Sequence, residues 1–482
     1  MDERTSGGRN ETQAFVADCV QGSAMMRLSE AAAAVGARID GSDMRFESVS
    51  TDSRTLQRGA LFVALRGERF DGHRFIQAAK QRGAAAGMVE DLAVFGPPES
   101  RLPFLVVDDT RLALGRLAAH WRLHFDIPLV SVAGSNGKTT VKEMIASILR
   151  AHYGEMHVLA TEGNLNNDIG LPLTLLKLRK DHRAAVVELG VNHPGETTYL
   201  AAIAAPTIAL INNAQREHQE FMNSVADVAR EHGAALAALP SHGIAVLNAD
   251  DDFAGYWRGL AAGRRVRDFG IDKLAQVSGR YALTRFGSAI ELHTPDGDAR
   301  FELHIEGRHN VLNAVAAAAA ATAVGAGLDA VVRGLGTFRA FAGRLQRKPS
   351  KGGAILIDDS YNANPDSVRA AIDVLETMPG ERVLVLGDMG EVGANGPAFH
   401  DEIGTYARGR IDVLLTFGTL SEEAGRAFGP GSRHFDHIDQ LTSVVRSMDA
   451  PGRTILVKGS RFMRMERVIE ALCGRDAGPG GH

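Results

Sequence analysis

The sequence predicts an α/β protein of three domains: a small N-terminal α/β domain, a central and mostly parallel sheet covered by helices, and a C-terminal, open, Rossmann-like sheet. Three observations carry this expectation. The chain has 482 residues, too many for one hydrophobic core at roughly 150 residues per domain. Apolar runs of strand length recur with longer helical stretches between them, as parallel strands with covering helices do. The alternation comes in two blocks, separated over 338–353 by four glycines or prolines among several charges, as at a domain boundary.

Taken in order, residues 1–24 form a polar, flexible tail and 25–110 a compact first domain, in which 60–65 and 104–107 are short apolar strand candidates between turns. The second domain spans 111–342, with strands at 128–133, 184–189, 207–211 and 244–247. Its most apolar run, 311–324, is an alanine tract shorter than the roughly 20 residues needed to cross a bilayer, and it reads as a buried helix. The third domain, 343–473, repeats the alternation with strands at 354–357, 382–386, 412–417 and 454–457. A Gly-rich tail, 474–482, is expected to be disordered.

Composition narrows the function. The balance of 53 Lys plus Arg against 58 Asp plus Glu, for a net charge of -5, argues against a general nucleic-acid binder. Two cysteines, Cys19 and Cys473, near opposite ends, offer neither a disulfide framework nor a thiolate cluster. The first 24 residues lack the apolar core of a signal peptide, so the expected compartment is the cytoplasm and no transmembrane segment is foreseen. The spacing of His293, His304 and His309 fits no zinc pattern.

The most informative segment is 128–149, PLVSVAGSNGKTTVKEMIASIL: an apolar strand, a turn bracketed by glycines, then a helix with apolar residues at helical spacing. That is the context of a phosphate loop. Gly134 and Gly137 let the backbone amides of Ala133, Gly134, Ser135, Asn136 and Gly137 turn toward phosphate oxygens, and the helix from Lys138, Thr139 and Thr140 onward adds its positive end. Lys138 would neutralise the β and γ phosphates, and the Thr139 hydroxyl would reach Mg²⁺. The position five before Gly137 is Val132 rather than glycine, which implies a shortened loop.

GSNGKTT after an apolar strand resembles the shortened phosphate loop of the Mur ligase family, which builds the peptide stem of bacterial cell-wall precursors. GNLNNDIGLP at 163–172, ELGVNHPGE at 188–196, GRHNVLNA at 307–314, DDSYNANP at 358–365 and KGSR at 458–461 extend the likeness from about residue 25 to 472. In that order they look like the member that adds D-alanyl-D-alanine to a UDP-linked muramoyl-tripeptide. The resemblance implies an ATP- and Mg²⁺-dependent ligase that makes an acyl phosphate. It would work as a monomer on small-molecule substrates, with the third domain closing on the second about a hinge at 339–343.

The same resemblance assigns roles. Glu188, at the end of its strand and on the ligand edge of the sheet, and His218 join Thr139 as metal ligands. Asn310, Arg344, Asp359, Tyr361 and Asn362 go to the nucleotide, with Arg344 on the γ-phosphate. Lys138, Glu188, His218 and Arg344 form the catalytic set. Ser53 and Arg54 of STDSR, with Asp71 and His73 of FDGH, belong to the uridine-nucleotide end; taken alone, both stretches read equally well as ordinary turns. Asn166 and Asn167 would face the muramoyl peptide, and Lys458 and Arg461 the dipeptide carboxylate.

One position departs from the family. Where a lysine, carbamylated to hold a second Mg²⁺, usually precedes a glycine, this chain has His232 before Gly233. Imidazole cannot be carbamylated in that way, so a second metal would be held differently or more weakly. Rival readings are a ligase adding the third stem residue, whose Asp-Asn-Pro-Arg selector is absent, and a folate polyglutamylating enzyme, which lacks an STDSR-type domain. A switch or motor NTPase, turning over nucleotide without an amine acceptor, is a more distant one.

Overall fold

The computed structural model describes residues 24–67, 70–92, 102–217, 219–284 and 286–473. The tails expected at 1–24 and 474–482 lie, apart from Ala24, outside the described residues. The chain divides into two compact units, one running to Asp126 and regaining Asp168–Lys180, the other holding Ile127–Asn167 and the chain from Asp181 onward.

In the first unit a five-stranded sheet runs in the order Arg38–Asp40, Phe104–Val106, Ala86–Val89, Ala60–Val63 and Ser48–Ser50. Its first pair is antiparallel and the rest are parallel. Leu61, Phe62, Met88, Phe104 and Leu105 are enclosed, so both faces must be covered by helices. Helix Ile76–Gln81 contributes Ile76 and Ala79 to the core around Phe62 and Phe104. Helix Thr110–Arg122 starts where the Asp109 carboxylate accepts from the amides of Arg111 and Leu112, satisfying two N–H groups that have no partner within the helix. It packs against helices Leu28–Val35 and Gly170–Leu175.

The second unit carries two sheets. The larger has nine strands, in the order Val158–Ala160, Ala184–Glu188, Leu129–Ala133, Ile208–Ile211, Ile244–Asn248, Arg265–Gly270, Val277–Thr284, Gly287–Thr294 and Gly297–Leu303. All run parallel as far as Val277–Thr284, and the last two add an antiparallel meander. The four strands expected from apolar runs are all present. The meander was not foreseen, because its strands expose alternate residues to solvent and none is a continuous apolar run.

Leu129–Ala133 comes first in the parallel part of the chain yet lies between Ala184–Glu188 and Ile208–Ile211. The strand order reverses there, and such a switch opens a crevice at the carboxyl ends of the strands. The alanine tract falls in helix Arg308–Val324, where every residue from Ala314 to Ala321 is enclosed. Side chains this small let the helix lie close to the sheet strands and to helix Lys138–Tyr153 at once. Helix Leu328–Thr337 crosses Lys138–Tyr153 so closely that a Cβ on Gly334 would sit 2.6 Å from the Ile148 Cα.

The smaller sheet has six strands, in the order Gln346–Pro349, Ile355–Asp359, Arg453–Lys458, Glu381–Gly387, Val413–Phe417 and Ser432–Phe435. Only the first pair is antiparallel, and apolar clusters cover both faces. This is the open sheet expected of the third domain. Near it, in the first turn of helix Arg308–Val324, His309 places Nε2 3.1 Å from the Asn310 side-chain nitrogen Nδ2. Desolvation, with the Lys458 ammonium second, pulls its pKa down to about 4.

Two outcomes follow from this packing. Replacing Gly334 with alanine forces a methyl group against the Ile148 backbone and should cost about 1–3 kcal/mol, read as a lower urea midpoint. The folded pKa of His309 is depressed, so the unfolded chain binds the proton first as pH falls; this residue's contribution is intact above about pH 6.5 and shrinks toward pH 4. Between about pH 7 and 4.5 the wild type should therefore lose about 2 kcal/mol more than His309→Gln, measured from urea midpoints at both values.

Candidate functional site

The loop 134–137 leaves the carboxyl end of Leu129–Ala133 and enters helix Lys138–Tyr153. Gly134 and Gly137 have φ of 139° and 81°, a region that a Cβ disfavours. Space forbids a side chain as well: a Cβ on Gly134 would meet the Asn213 amide nitrogen at 3.1 Å, and one on Gly137 the Asn313 Oδ1 at 2.6 Å. Side chains hold the loop from below. The Asn136 amide donates to Asn213 Oδ1 at 2.8 Å, while Asn212 and Asn213 donate to the Asn136 carbonyl at 2.8 and 3.0 Å.

A polar chain continues inward. Asn212 donates to Asn313 Oδ1 at 3.0 Å, and Asn313 donates to Asn310 Oδ1 at 3.1 Å. Asn310 in turn donates to the Glu306 carbonyl at 2.7 Å. Buried Asn310 therefore reaches the loop through Asn313 and Asn212, as part of its foundation.

Lys138 folds back on its own loop. Its ammonium bonds the Gly134 carbonyl, the Ser135 carbonyl at 3.1 Å and Glu217 Oε2 at 3.2 Å. The other oxygen of Glu217 lies 2.8 Å from His232 Nε2, and the Ser135 hydroxyl is 3.4 Å from the same nitrogen. His232, at the family's lysine position, is fully enclosed. It holds the Glu217 carboxylate beside the loop.

Glu188 ends its strand in register with Val132, one strand from the loop. It is enclosed; Oε1 accepts from the Asn166 side-chain amide at 2.7 Å, and Oε2 has no hydrogen-bond partner among the described residues. A buried carboxylate oxygen without a donor is costly unless a cation completes it, so the donor set fits Mg²⁺. His218 lies outside the described residues.

The third domain meets the loop through several side chains. Arg344 Nη2 donates to Thr139 Oγ1 at 3.0 Å, and its guanidinium lies 4.3 Å from the centre of the Tyr361 ring. Asn364, which caps helix Pro365–Glu376, exchanges amide hydrogen bonds of 3.0 and 3.3 Å with Asn136. Arg216 binds Asp366 and Glu402, with Nη1 2.6 Å from Glu402 Oε2 and Nη2 2.6 Å from Asp366 Oδ1. Close approach also fixes the linker, since a Cβ on Gly343 would come within 3.0 Å of the Tyr361 backbone.

Asp359 accepts from the Leu345 amide and from Lys458, whose ammonium is 2.6 Å away and also bonds the Asn362 carbonyl at 3.0 Å. Buried Lys458 is thus already neutralised, whereas Arg461 is exposed and bonds Glu466 at 3.0 Å.

Within the first unit, Ser53 is buried and Arg54 is exposed in a fork with Asp52. Asp71 accepts from the His73 amide and lies 2.7 Å from Nδ1, and His73 Nε2 accepts from the Glu90 amide at 3.0 Å. These bonds hold the Asp71 carboxyl below its ordinary pKa, the His73 amide first among them. Asn166 touches Glu188, and Asn167 is exposed beside it.

The sequence reading passed over Asn212, Asn213, Glu217 and Asn313, and over Gln215, whose Oε1 accepts from the Asn136 side-chain amide at 2.7 Å and whose backbone amide donates to the Ser135 hydroxyl at 2.9 Å. For Asn212, Asn213, Gln215 and Glu217 the signal was NNAQRE directly after an apolar strand, a polar run beside the glycine-bracketed loop; Asn313 lies in GRHNVLNA.

Comparison with known proteins identifies the family. The Mur ligase catalytic-domain, middle-domain and glutamate ligase domain models match residues 45–122, 132–321 and 343–461. The chain is 42% identical over 450 residues to the UDP-N-acetylmuramoyl-tripeptide--D-alanyl-D-alanine ligase of Escherichia coli (strain K12), covering 92% of this chain and 98% of that one. Its fold resembles MurF from Acinetobacter baumannii (TM-score 0.85, 34% identity, 92% and 98% of the two chains covered). It also resembles MurF ligase from Thermotoga maritima in complex with ADP (TM-score 0.77, 26% identity, 88% and 96% covered). With that identity over nearly its whole length, and the three domains in the same order, the chain belongs to the Mur ligase family.

Proposed function

We propose that the protein joins D-alanyl-D-alanine to UDP-N-acetylmuramoyl-tripeptide at the expense of ATP, completing the UDP-linked muramoyl-pentapeptide in the cytoplasm. The observation that carries the reading is the loop 134–140 on the ligand edge of the central sheet, with Glu188 one strand away and Arg344 brought onto Thr139. A terminal carboxylate oxygen of the tripeptide attacks the γ-phosphorus and ADP leaves. The amine of D-alanyl-D-alanine then attacks the acyl carbon, and phosphate carries off the electron pair of the broken C–O bond.

The protein's part is positioning and charge neutralisation. Lys138 exchanges the Gly134 and Ser135 carbonyls and Glu217 for phosphate oxygens, and Arg344 turns from Thr139 to the γ-phosphate. The amides of Gly137, Lys138, Thr139 and Thr140, which open the helix, cradle the remaining oxygens, while those of Ser135 and Asn136 stay bonded to Asn213. In our reading Thr139, Glu188 and His218 hold Mg²⁺, which when bound offsets negative charge on the phosphates. Asn310 braces the loop, while Asp359, Tyr361 and Asn362 line the nucleotide's other side.

Ser53, Arg54 and Asp71 take the uridine diphosphate, with His73 fixing the turn that presents Asp71. Asn166 and Asn167 take the muramoyl peptide. Lys458 is neutralised by Asp359, so exposed Arg461 faces the dipeptide carboxylate with the larger share. We take the enzyme as a monomer whose partners are small molecules; no described helix is long and apolar enough to cross a membrane.

Phosphate release from ATP should require both UDP-muramoyl-tripeptide and D-alanyl-D-alanine, and Lys138→Ala should lower it by about 10²–10³ while leaving the urea midpoint near wild type. Turnover that ignores the dipeptide would end the reading. Glu188→Gln keeps the bond to Asn166 and removes the charge; it should raise the Mg²⁺ concentration for half-maximal rate by about tenfold or more. An unchanged Mg²⁺ dependence would remove Glu188 from the metal site.

A further inference from the structure

A second cluster of ligating side chains lies in the first unit. Helix Thr110–Arg122 continues for another turn, its amides at Leu123 and His124 donating to the carbonyls of His120 and Trp121. His120 and His124 are therefore one helical turn apart on one face. Across from them, helix Leu28–Val35 brings up Glu30 in its first turn. Glu30 Oε1 lies 3.3 Å from His120 Nε2 and 3.4 Å from His124 Nε2, and the three donor atoms lie within 4.8 Å of one another.

We propose that Glu30, His120 and His124 bind one zinc-class divalent cation. The tautomer argues for it. His124 Nδ1 is 3.1 Å from the His120 carbonyl, which can only accept, so Nδ1 carries the proton. In the neutral ring, Nε2 then turns a lone pair toward a carboxylate oxygen. Two lone pairs face each other stably only when something electropositive lies between them.

The spacing suits a metal. A cation about 2.0–2.1 Å from tetrahedrally placed donors holds them about 3.4 Å apart. A ligating imidazole whose other nitrogen is tied to a carbonyl is oriented as zinc ligands usually are. Two nitrogens and one carboxylate favour Zn²⁺, Ni²⁺, Co²⁺ or Cu²⁺ over Mg²⁺, which keeps to oxygen ligands. The side chains are 34–42% exposed, so the ion enters from solvent and water completes the fourth position. Trp121, its ring centre 5.4 Å from that of His124, walls one side. Bound there, the ion clips two helices of the first unit together and takes no part in the ligase chemistry.

Calorimetric titration of the full chain with ZnCl₂, in saturating Mg²⁺, tests the site, with CoCl₂ and CuCl₂ as spectroscopic probes. The expected result is one equivalent of Zn²⁺, a rise in Tm, tetrahedral cobalt bands and a copper resonance split by two nitrogens. His120→Gln and His124→Gln should each weaken Zn²⁺ by at least about tenfold and leave Mg²⁺-dependent phosphate release unchanged. Retention of the same equivalent and Kd in the double variant would overturn the proposal. So would a wild type that takes up no zinc, in which case protons alone join the imidazoles to Glu30. The copper spectrum of the wild type decides the matter independently of how the variants fold, since fewer than two coupled nitrogens rules the pair out.

Discussion

The active end of the molecule rests on the contact between the backbone of 134–137 and the asparagines beneath it. The bend has positive φ at Gly134 and Gly137, and it turns the Asn136 carbonyl inward. The Asn136 carbonyl is met by Asn212 and Asn213; Asn212 is held in turn by Asn313, and Asn313 by Asn310. Burial makes each such bond count, and among the described residues only Asn212 Oδ1 of this network is left without a partner. The loop's shape is therefore set by helix Arg308–Val324 and by the strand beside it as much as by its own glycines.

Much of this was legible in the sequence, for physical reasons. Parallel strands buried on both faces become continuous apolar runs, which is why Leu129–Ala133, Ala184–Glu188 and Glu381–Gly387 stood out. The turn 134–137 between strand and helix was legible because its bracketing glycines interrupt an apolar run just before a helical pattern. The meander Val277–Leu303 escaped because half of each strand faces water. The asparagine scaffold escaped because its members are distant in sequence and act on one another through amides. A single asparagine gives no hint of whether it caps a turn or braces a loop.

His232 shows how one substitution is absorbed. The resemblance to the family implies a carbamylated lysine here, which would carry its own carboxylate-like group. Here the shorter imidazole engages Glu217, and Glu217 engages Lys138. A carboxylate still stands beside the loop, but it comes from the segment after Ile208–Ile211 and is already bonded to a cation.

The docked third domain has a thermodynamic consequence. Thr139 and Lys138 are occupied by Arg344 and Glu217, while Arg216 fastens Asp366 and Glu402 across the same contact. On the proposed reading a nucleotide displaces these internal partners, of nearly equal polarity, so its observed affinity would be the intrinsic one reduced by the fraction of molecules whose loop is open. Such competition keeps the cationic groups ordered in the resting enzyme, and it makes nucleotide capture a question of exchange between ligands already in place.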